Sequence, residues 1–504
     1  MENPENRAPE AAIIPGARAF QKDLAPAYLD HACIVNGYAP PPGSPVGEGM
    51  GAGFAYCELY CGSGTTSALL AAANPLGDFH AIDAREQMLE AGKALAEAGK
   101  ARNVKFHHAT MEQAIELSLP QFDYIVLDGV YSWVPLRERA QVLAFVRKFL
   151  KPGGVVFVSY NARPGSDRIE PFRRLFLETA RGVQTDVKTH LAYTRELYAA
   201  LYAAKVPAIL AGVPPEALKD LDTLPPEALT TDFANPFANP LYVTDVAADF
   251  AAVDCQLAGP ADMGETLPTL MSHEPYKTLL GRVQTAFARE LVKDYLRGTR
   301  ARRDVLVRGG RRLAADNRDM MMNSLAFVLE IPVASVRYKV RASLGEMVFD
   351  NEHAHGIVDL LSKGPRSLGE LVQQALAKDA DAQAVVVNLH ALLITGQVRP
   401  VYRPMPEAQA SARAMQTTVR TRAGTASAIG FLPSAIGTAF AVPVPDQLFM
   451  QMGASDSADA MADAALKRMA PDAPANSPIR DFVTKRARAY RTNAALYAML
   501  GIST

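Results

Sequence analysis

Residues 54–83 read FAYCELYCGSGTTSALLAAANPLGDFHAID, and the prediction of the fold starts from this stretch. Its apolar start, residues 54–60, predicts a strand, the Ala- and Leu-rich run predicts a helix, and Asp83 ends a second predicted strand. Gly62 and Gly64 occupy the turn between strand and helix, where glycine tolerates positive φ and lets the backbone approach a ligand closely. An acid about 20 residues further on, at the tip of the second strand, can accept hydrogen bonds from a ribose. The stretch therefore predicts a site for a cofactor that contains a nucleoside.

Length and charge limit the classes to which the chain can belong. At 504 residues it is long for one domain, and about two to four domains are expected. Apolar residues make up 49% and charged residues 21%, which is typical of globular protein with a sizeable core. The formal net charge is −1, so no overall basic field would draw the chain to nucleic acid, and we expect no such partner.

The cysteines and the apolar runs predict a soluble, reduced, cytoplasmic protein. The four cysteines lack metal-ligand spacing, so no metal is predicted, and Cys57 and Cys61 are interpreted as small core hydrophobes. The polar, acidic N-terminus does not resemble a secretory signal. Residues 426–444 come nearest to a membrane span, but Pro433 and Pro443 interrupt them.

Further strands follow at regular intervals. Apolar runs predict strands at residues 103–108, 122–129 and 155–161, with helix-periodic segments between them. Five strands that alternate with helices predict a doubly wound, parallel, Rossmann-like α/β sheet. A sixth strand is predicted near residues 252–257 and a seventh at 302–309.

Two kinds of cofactor compete for this sheet. A dinucleotide fold requires G-x-G-x-x-G, whereas residues 62–67 read GSGTTS and lack the third glycine. An enzyme that uses S-adenosylmethionine (SAM) instead has E-x-x-x-G-x-G, and here this pattern begins at Glu58. Such enzymes also have an FDxI strand and an LKPGG turn, which residues 122–125 and 150–154 supply. In this order and spacing the features predict SAM, with S-adenosylhomocysteine as product.

Two longer motifs resemble a narrower family. Residues 122–135 read FDYIVLDGVYSWVP, and residues 159–165 read SYNARPG. Both are similar to motifs of class I SAM-dependent methyltransferases that carry a methyltransferase regulatory domain, including the bacterial outer-membrane-protein lysine methyltransferases. Three positions depart from the family's pattern: Asp128 stands where His is usual, Thr110 where Asp is common, and Tyr60 where Gly is frequent.

Sheet pattern and resemblance together predict the site residues at the carboxyl ends of the strands. The predicted contacts to SAM are Glu58, Tyr60, Gly62, Gly64, Asp83, Ala84, Thr110, Met111 and Asp128. The predicted catalytic residues, which position the acceptor, are Asp128, Tyr131, Trp133, Tyr160 and Asn161. The three aromatic residues among them are predicted to form a wall that holds a lysine ammonium by cation–π attraction.

Several of these residues have a second interpretation. Met111 packs on adenine or only in the core, and Glu58 orders the glycine loop or is an exposed strand acid. Asp128 contacts SAM or the acceptor, or it caps the strand end through local backbone hydrogen bonds. Trp133 belongs to the aromatic wall or packs under a helical lid.

The domain prediction follows the outline of the family. Residues 1–165 are predicted to form the SAM-binding core, and 166–310 a helical lid and regulatory segment with the closing strands. Residues 311–347 are predicted to be a linker. Residues 348–403 are predicted to form a winged-helix-like module for docking or dimerisation, because its third helix lacks Lys and Arg. Residues 404–504 form a mixed region without recognisable chemistry.

Five arginines lie close together before and within the seventh predicted strand: Arg297, Arg300, Arg302, Arg303 and Arg308. They are interpreted as a solvated helix end, with an acidic partner as the alternative.

The sequence thus predicts a SAM-dependent methyltransferase that acts on a lysine amine of a protein or peptide. The resemblance implies a homodimer. One alternative is methylation of a small molecule or a ribosomally made peptide in a biosynthetic pathway. Another is a SAM-binding regulator without turnover.

Overall fold

The structure is a computed structural model, and part of the chain is described. The described residues are 20–46, 53–181, 185–224, 226, 229, 233–262, 274–342, 345–377, 381–452, 457–474 and 476–502. Residues 1–19, which the sequence assigns to the SAM-binding core, lie outside them.

A seven-stranded sheet forms the centre of the first 310 residues. Its strands are β1 Ala55–Leu59, β2 Asp78–Asp83, β3 Val104–His108, β4 Phe122–Leu127, β5 Leu150–Asn161, β6 Cys255–Pro260 and β7 Ala301–Arg308. They lie in the order β3-β2-β1-β4-β5-β7-β6. Strands β1 to β5 pair in parallel, as the sequence predicts, whereas β7 runs antiparallel to both β5 and β6. This is the predicted Rossmann-like methyltransferase fold.

Helices cover both faces of the sheet. The first five are α1 Pro26–Val35, α2 Thr65–Ala73, α3 Glu86–Ala98, α4 Met111–Glu116 and α5 Leu136–Phe149. One apolar core joins α1 and α2 to alternate strand residues such as Tyr56 and Phe157, and a second core joins α4 and α5 to the opposite face. A short 3-10 helix, Lys22–Leu24, precedes α1. Helix α1 begins at Pro26, because the first position of an α-helix needs no N–H donor.

A helical insertion separates β5 from β6, as predicted. It contains α6 Glu170–Ala180, α7 Val187–Ala203, α8 Pro207–Leu210, the 3-10 helix Pro215–Thr223 and α9 Val243–Ala251. Phe172, Phe176 and Tyr198 belong to a separate apolar core within it. Strand β6 begins at Cys255 rather than near residue 252, because a turn with Asp254 at φ 63° follows α9. Helices α10 Glu274–Gly281 and α11 Ala286–Arg297 then lead to β7.

The segment predicted as a linker is structured. It contains α12 Ala315–Ser324, β8 Ala326–Leu329, β9 Lys339–Ala342 and β10 Gly345–Val348. The elements after it are α13 Glu352–Leu361, β11 Arg366–Ser367, α14 Leu368–Leu376, α15 Ala382–Ile394 and β12 Val398–Val401. Strand β8 is the central strand of a sheet with the order β11-β8-β12. The unit therefore takes in residues upstream of 348, and its winged-helix character stays a prediction.

The C-terminal region packs against helices that cover the central sheet. Its elements are α16 Pro406–Thr421, β13 Phe431–Ser434, β14 Thr438–Ala441, α17 Val444–Phe449, α18 Ala458–Met469 and α19 Pro478–Met499. Helix α16 contacts α2 and α3. Asp30 on α1 accepts hydrogen bonds from the Tyr124 and Tyr402 hydroxyls at 2.6 and 2.7 Å, which joins α1, the central sheet and the end of β12. Among the described residues, no helix is long and apolar enough to cross a membrane.

Candidate functional site

The glycine turn after β1 has the conformation that its sequence requires. Gly62 and Gly64 have φ of 57° and 65°, and Gly64 immediately precedes α2. A Cβ on Gly64 would lie 2.5 Å from Phe106 Cε1, so only glycine fits. Tyr60 also has positive φ, 54°, at the position where the resembled family often has glycine. Its hydroxyl donates to Glu138 at 3.0 Å, a contact that a glycine could not make.

Asp83 lies at the tip of β2, where the sequence places the ribose-binding acid. Its carboxylate accepts a hydrogen bond from Gly62 N at 2.8 Å, which ties the tip of β2 to the glycine turn. It also accepts from Arg85 Nε at 2.9 Å and Arg85 Nη2 at 3.0 Å. Burial alone would raise the pKa of Asp83, but the hydrogen bonds from Arg85 and Gly62 hold that pKa below its usual value. Asp83 is therefore ionised at neutral pH.

A cavity of about 280 Å³ lies beside Asp83. Five of the predicted cofactor residues line it: Tyr60, Asp83, Ala84, Thr110 and Met111. The others in its wall are Ile82, Ala109, Glu112, Arg137, Glu138 and Gln141. Three of these residues, Arg137, Glu138 and Gln141, lie on α5. The sequence marks this helix only by the proline at its start, so they were not predicted from the sequence. Thr110 caps α4, because its hydroxyl accepts a hydrogen bond from Gln113 N at 3.3 Å. This cap explains the hydroxyl side chain at position 110, where the resembled family commonly has Asp.

Glu58 is buried on β1 and accepts a hydrogen bond from Ser67 on α2. This contact fixes the start of α2 relative to β1, so the interpretation of Glu58 as an exposed strand acid is wrong. Burial raises the pKa of Glu58 to about 7, with a smaller contribution from the nearby Asp128 carboxylate.

Asp128 follows β4 and is half-buried. Ser159 Oγ on β5 donates to its carboxylate at 2.6 Å, and the same hydroxyl accepts from Gly129 N at 2.5 Å. The serine thus fixes the carboxylate through a side-chain contact between neighbouring strands, which differs from capping through local backbone bonds.

The predicted aromatic wall is not present in this arrangement. Tyr131 is fully buried, packs on Phe250 and donates to Asp249 at 2.9 Å. Tyr160 is 2% exposed and donates to Asp304 at 2.5 Å. Both rings face the core on the α4 and α5 side of the sheet, where no ammonium from solvent can reach them.

Trp133 and Asn161 lie at the same edge of the sheet. Trp133 is half-buried, and its carbonyl accepts from Asn235 Nδ2 of the helical insertion at 2.9 Å. The backbone of Asn161 accepts from Leu241 N at 2.9 Å and donates to Ser132 Oγ at 2.8 Å. These contacts connect the two strand-end loops with the insertion.

The five arginines do not share one environment. Arg302 is 1% exposed and pairs with Asp294 and Asp304 at 2.8 Å and with Glu290 at 3.1 Å. Its interpretation as part of a solvated helix end is therefore wrong. Arg303, its neighbour on β7, is half-exposed and pairs with Asp23 at 3.0 Å.

Two families of known proteins match parts of the chain. The family described as "Methyltransferase domain" matches residues 57–156, which include the glycine turn, Asp83 and Asp128. The family described as "Predicted methyltransferase regulatory domain" matches residues 225–308, which run from the helical insertion to the end of β7. The chain is a SAM-dependent methyltransferase, in which a segment matching the regulatory domain follows the methyltransferase domain.

Individual relatives and a solved structure are also similar to the chain. An uncharacterized protein of Synechocystis sp. is 29% identical over 406 residues, which is 79% of each chain. An uncharacterized protein of Rickettsia prowazekii is 31% identical over 120 residues, 24% of the methyltransferase and 48% of that protein. The structure of PKMT2 from Rickettsia typhi in complex with AdoHcy covers 96% of the methyltransferase and 99% of PKMT2. Its TM-score is 0.66 at 15% identity, so the likeness shows a shared fold.

Proposed function

We propose that the methyltransferase transfers the methyl group of SAM to a lysine amine of a protein or peptide. The observation that carries the proposal is the Asp128 carboxylate, which Ser159 holds at the carboxyl end of β4 and which is partly exposed to solvent. A fixed carboxylate at this edge favours a cationic acceptor, because charge-assisted hydrogen bonds are about twice as strong as neutral ones. The motif around Asp128 resembles that of the lysine methyltransferases, and Asp128 itself stands where those enzymes usually have His.

The residues near the glycine turn fit SAM. A Cβ at Gly62 would meet nothing nearer than Arg85 Nη2 at 4.0 Å, so open space lies in front of the turn. Asp83 offers an ionised carboxylate for the ribose hydroxyls, and Met111 offers apolar surface for adenine. Arg85 donates to both oxygens of Asp83, so we infer that its exposed side chain turns away when the ribose binds.

SAM supplies an electrophilic methyl group on a sulfonium. The acceptor ammonium first loses a proton, and its nitrogen then bonds to the methyl carbon while the carbon–sulfur bond breaks. The positive charge ends on the methylated nitrogen, and S-adenosylhomocysteine leaves as a neutral thioether. In the proposed mechanism Asp128 holds the ammonium and accepts its proton, and the glycine turn and Asp83 hold the donor in line.

The experiment is a transfer assay with methyl-labelled SAM, the purified enzyme and host lysate. We expect label on a protein, stable to mild base, and recovered as methyl-lysine after hydrolysis. Label lost in base would indicate an ester, and label confined to small molecules would support the biosynthetic alternative. Calorimetric binding of SAM without any transfer would favour the regulator.

The proposal also includes a homodimer, which rests on the resemblance, and a cytoplasmic location. All four cysteines are free thiols, which fits the reducing cytoplasm. Sedimentation velocity measures the oligomeric state, and fractionation of the host cell measures the location.

A further inference from the structure

A row of polar side chains crosses the sheet on the face that α1 covers. Asp128 follows β4, and Ser159 on β5 donates to it at 2.6 Å. Arg303 on β7 is directly opposite Ser159 in the antiparallel pairing, so the two side chains lie on the same face of the sheet. The row therefore runs from Asp128, the carboxylate proposed to hold the acceptor lysine, to Arg303.

Asp23 stands at the far end of this row, in the 3-10 helix that precedes α1. The Arg303 guanidinium pairs with one of its oxygens, Oδ2, at 3.0 Å. The residue is 9% exposed, and the other oxygen, Oδ1, is buried without a hydrogen-bond partner. An unsatisfied buried carboxylate oxygen is unfavourable, so its presence calls for a function or a ligand.

Arg303 interacts electrostatically with the carboxylates at both ends of the row. Burial would lower the pKa of Arg303, but Asp23 first and then Asp128 hold that pKa above its usual value. Its side chain is nevertheless 52% exposed, and it extends from a rigid strand on a flexible stem. The guanidinium can therefore move into solvent without any change in the sheet.

A purely structural role accounts poorly for this arrangement. Half-exposed ion pairs contribute about 0–1 kcal/mol to stability, too little to offset an unpaired buried oxygen. Tyr28 of α1 also faces the group, and burial followed by the charge of Asp23 raises its pKa, so this phenol stays neutral. Asp262 also interacts electrostatically with Arg303, and it has a contact of its own.

We propose that Asp23 and Asp128 bind the ammonium of the acceptor lysine where the Arg303 guanidinium lies in the free enzyme. Arg303 is then a stand-in cation that the acceptor displaces, and Asp23 Oδ1 gains the donor it lacks. This inference rests on the proposed lysine specificity and adds the residues that select a cation. Asp23 belongs to a segment before the sheet that no motif marks.

The test measures steady-state kinetics, and the acceptor is the unmethylated form of the protein that the lysate assay identifies. Asp23→Asn is expected to raise KM for this acceptor about tenfold or more, because a charged hydrogen-bond partner is lost. Arg303→Met is expected to lower the same KM, because the competing cation is gone. Both variants should bind SAM with unchanged affinity in calorimetry. Asp359→Asn, which removes an exposed carboxylate from α13, is the charge-matched control and should match wild type.

The opposite signs separate this inference from a structural role. Equal losses of activity in Asp23→Asn and Arg303→Met, or loss of SAM binding in either, would overturn it. If Asp23→Asn still labels lysine and has the same KM for the acceptor as wild type, this inference is overturned while the proposed function stays intact. If wild-type enzyme labels no lysine at all, the proposed function and this inference fall together.

Discussion

The Asp83 carboxylate provides a direct test of the cofactor site. Asp83→Asn keeps the shape of the side chain and one acceptor for Gly62 N, but it removes the charge that the ribose hydroxyls would meet. Loss of one charged hydrogen bond corresponds to about 1.5–3 kcal/mol, or roughly 10- to 150-fold weaker SAM binding. We expect the variant to fold, because the glycine turn retains its contact with the tip of β2.

Arg85 should shift the same affinity in the other direction. Its guanidinium donates to both oxygens of Asp83 in the free enzyme and must leave before the ribose binds. The Arg85 side chain is 62% exposed, so the pair contributes only about 0–1 kcal/mol. Arg85→Met is therefore expected to tighten SAM binding by up to about fivefold.

Calorimetric titration of SAM into wild type and the two variants measures both effects, and thermal unfolding without ligand checks the fold. Wild-type affinity in Asp83→Asn would refute the ribose assignment. Weaker binding in Arg85→Met would show that the guanidinium contacts the cofactor, and the displacement argument would then fail.

Three further changes test other parts of the structure. Burial raises the pKa of Glu58 to about 7 from an ordinary 4.5, so its ionisation destabilises the fold as pH rises between these values. In urea unfolding, Glu58→Gln should therefore be more stable than wild type near pH 8, by up to about 3 kcal/mol, and the gain should vanish near pH 4.5. Asp128→Asn should leave SAM affinity unchanged in calorimetry and slow labelled-methyl transfer about 100-fold, and an unchanged rate would contradict its role. Arg302→Met should lower the free energy of unfolding by about 3–5 kcal/mol, because its carboxylate partners stay buried without a cation; unchanged urea unfolding would contradict this.

The parts of the fold that the sequence predicted are those with local signals. Strands β1 to β5 are apolar runs at regular spacing, and each is long enough to stand out from its neighbours. Gly62 and Gly64 mark the turn because other residues rarely adopt positive φ there. Asp83 follows from its spacing, since the second strand must return to the same edge of a parallel sheet.

Contacts between distant residues depended on the tertiary structure. Whether Tyr160 faces an acceptor or the core depends on strand register, because neighbouring residues of a strand point to opposite faces. Ser159 consequently meets Asp128, while Tyr160 donates to Asp304 on the other side of the sheet.

The sequence by itself determined the sheet, the glycine turn and the choice of SAM, because these follow from periodicity, backbone freedom and short spacing. Only the tertiary structure decided that Arg302 is buried, that β8 is the central strand between β11 and β12, and that Asp23 meets Arg303. Each of these contacts depends on how separate elements pack, and the free energy that selects the packing comes from the whole core rather than from any one segment.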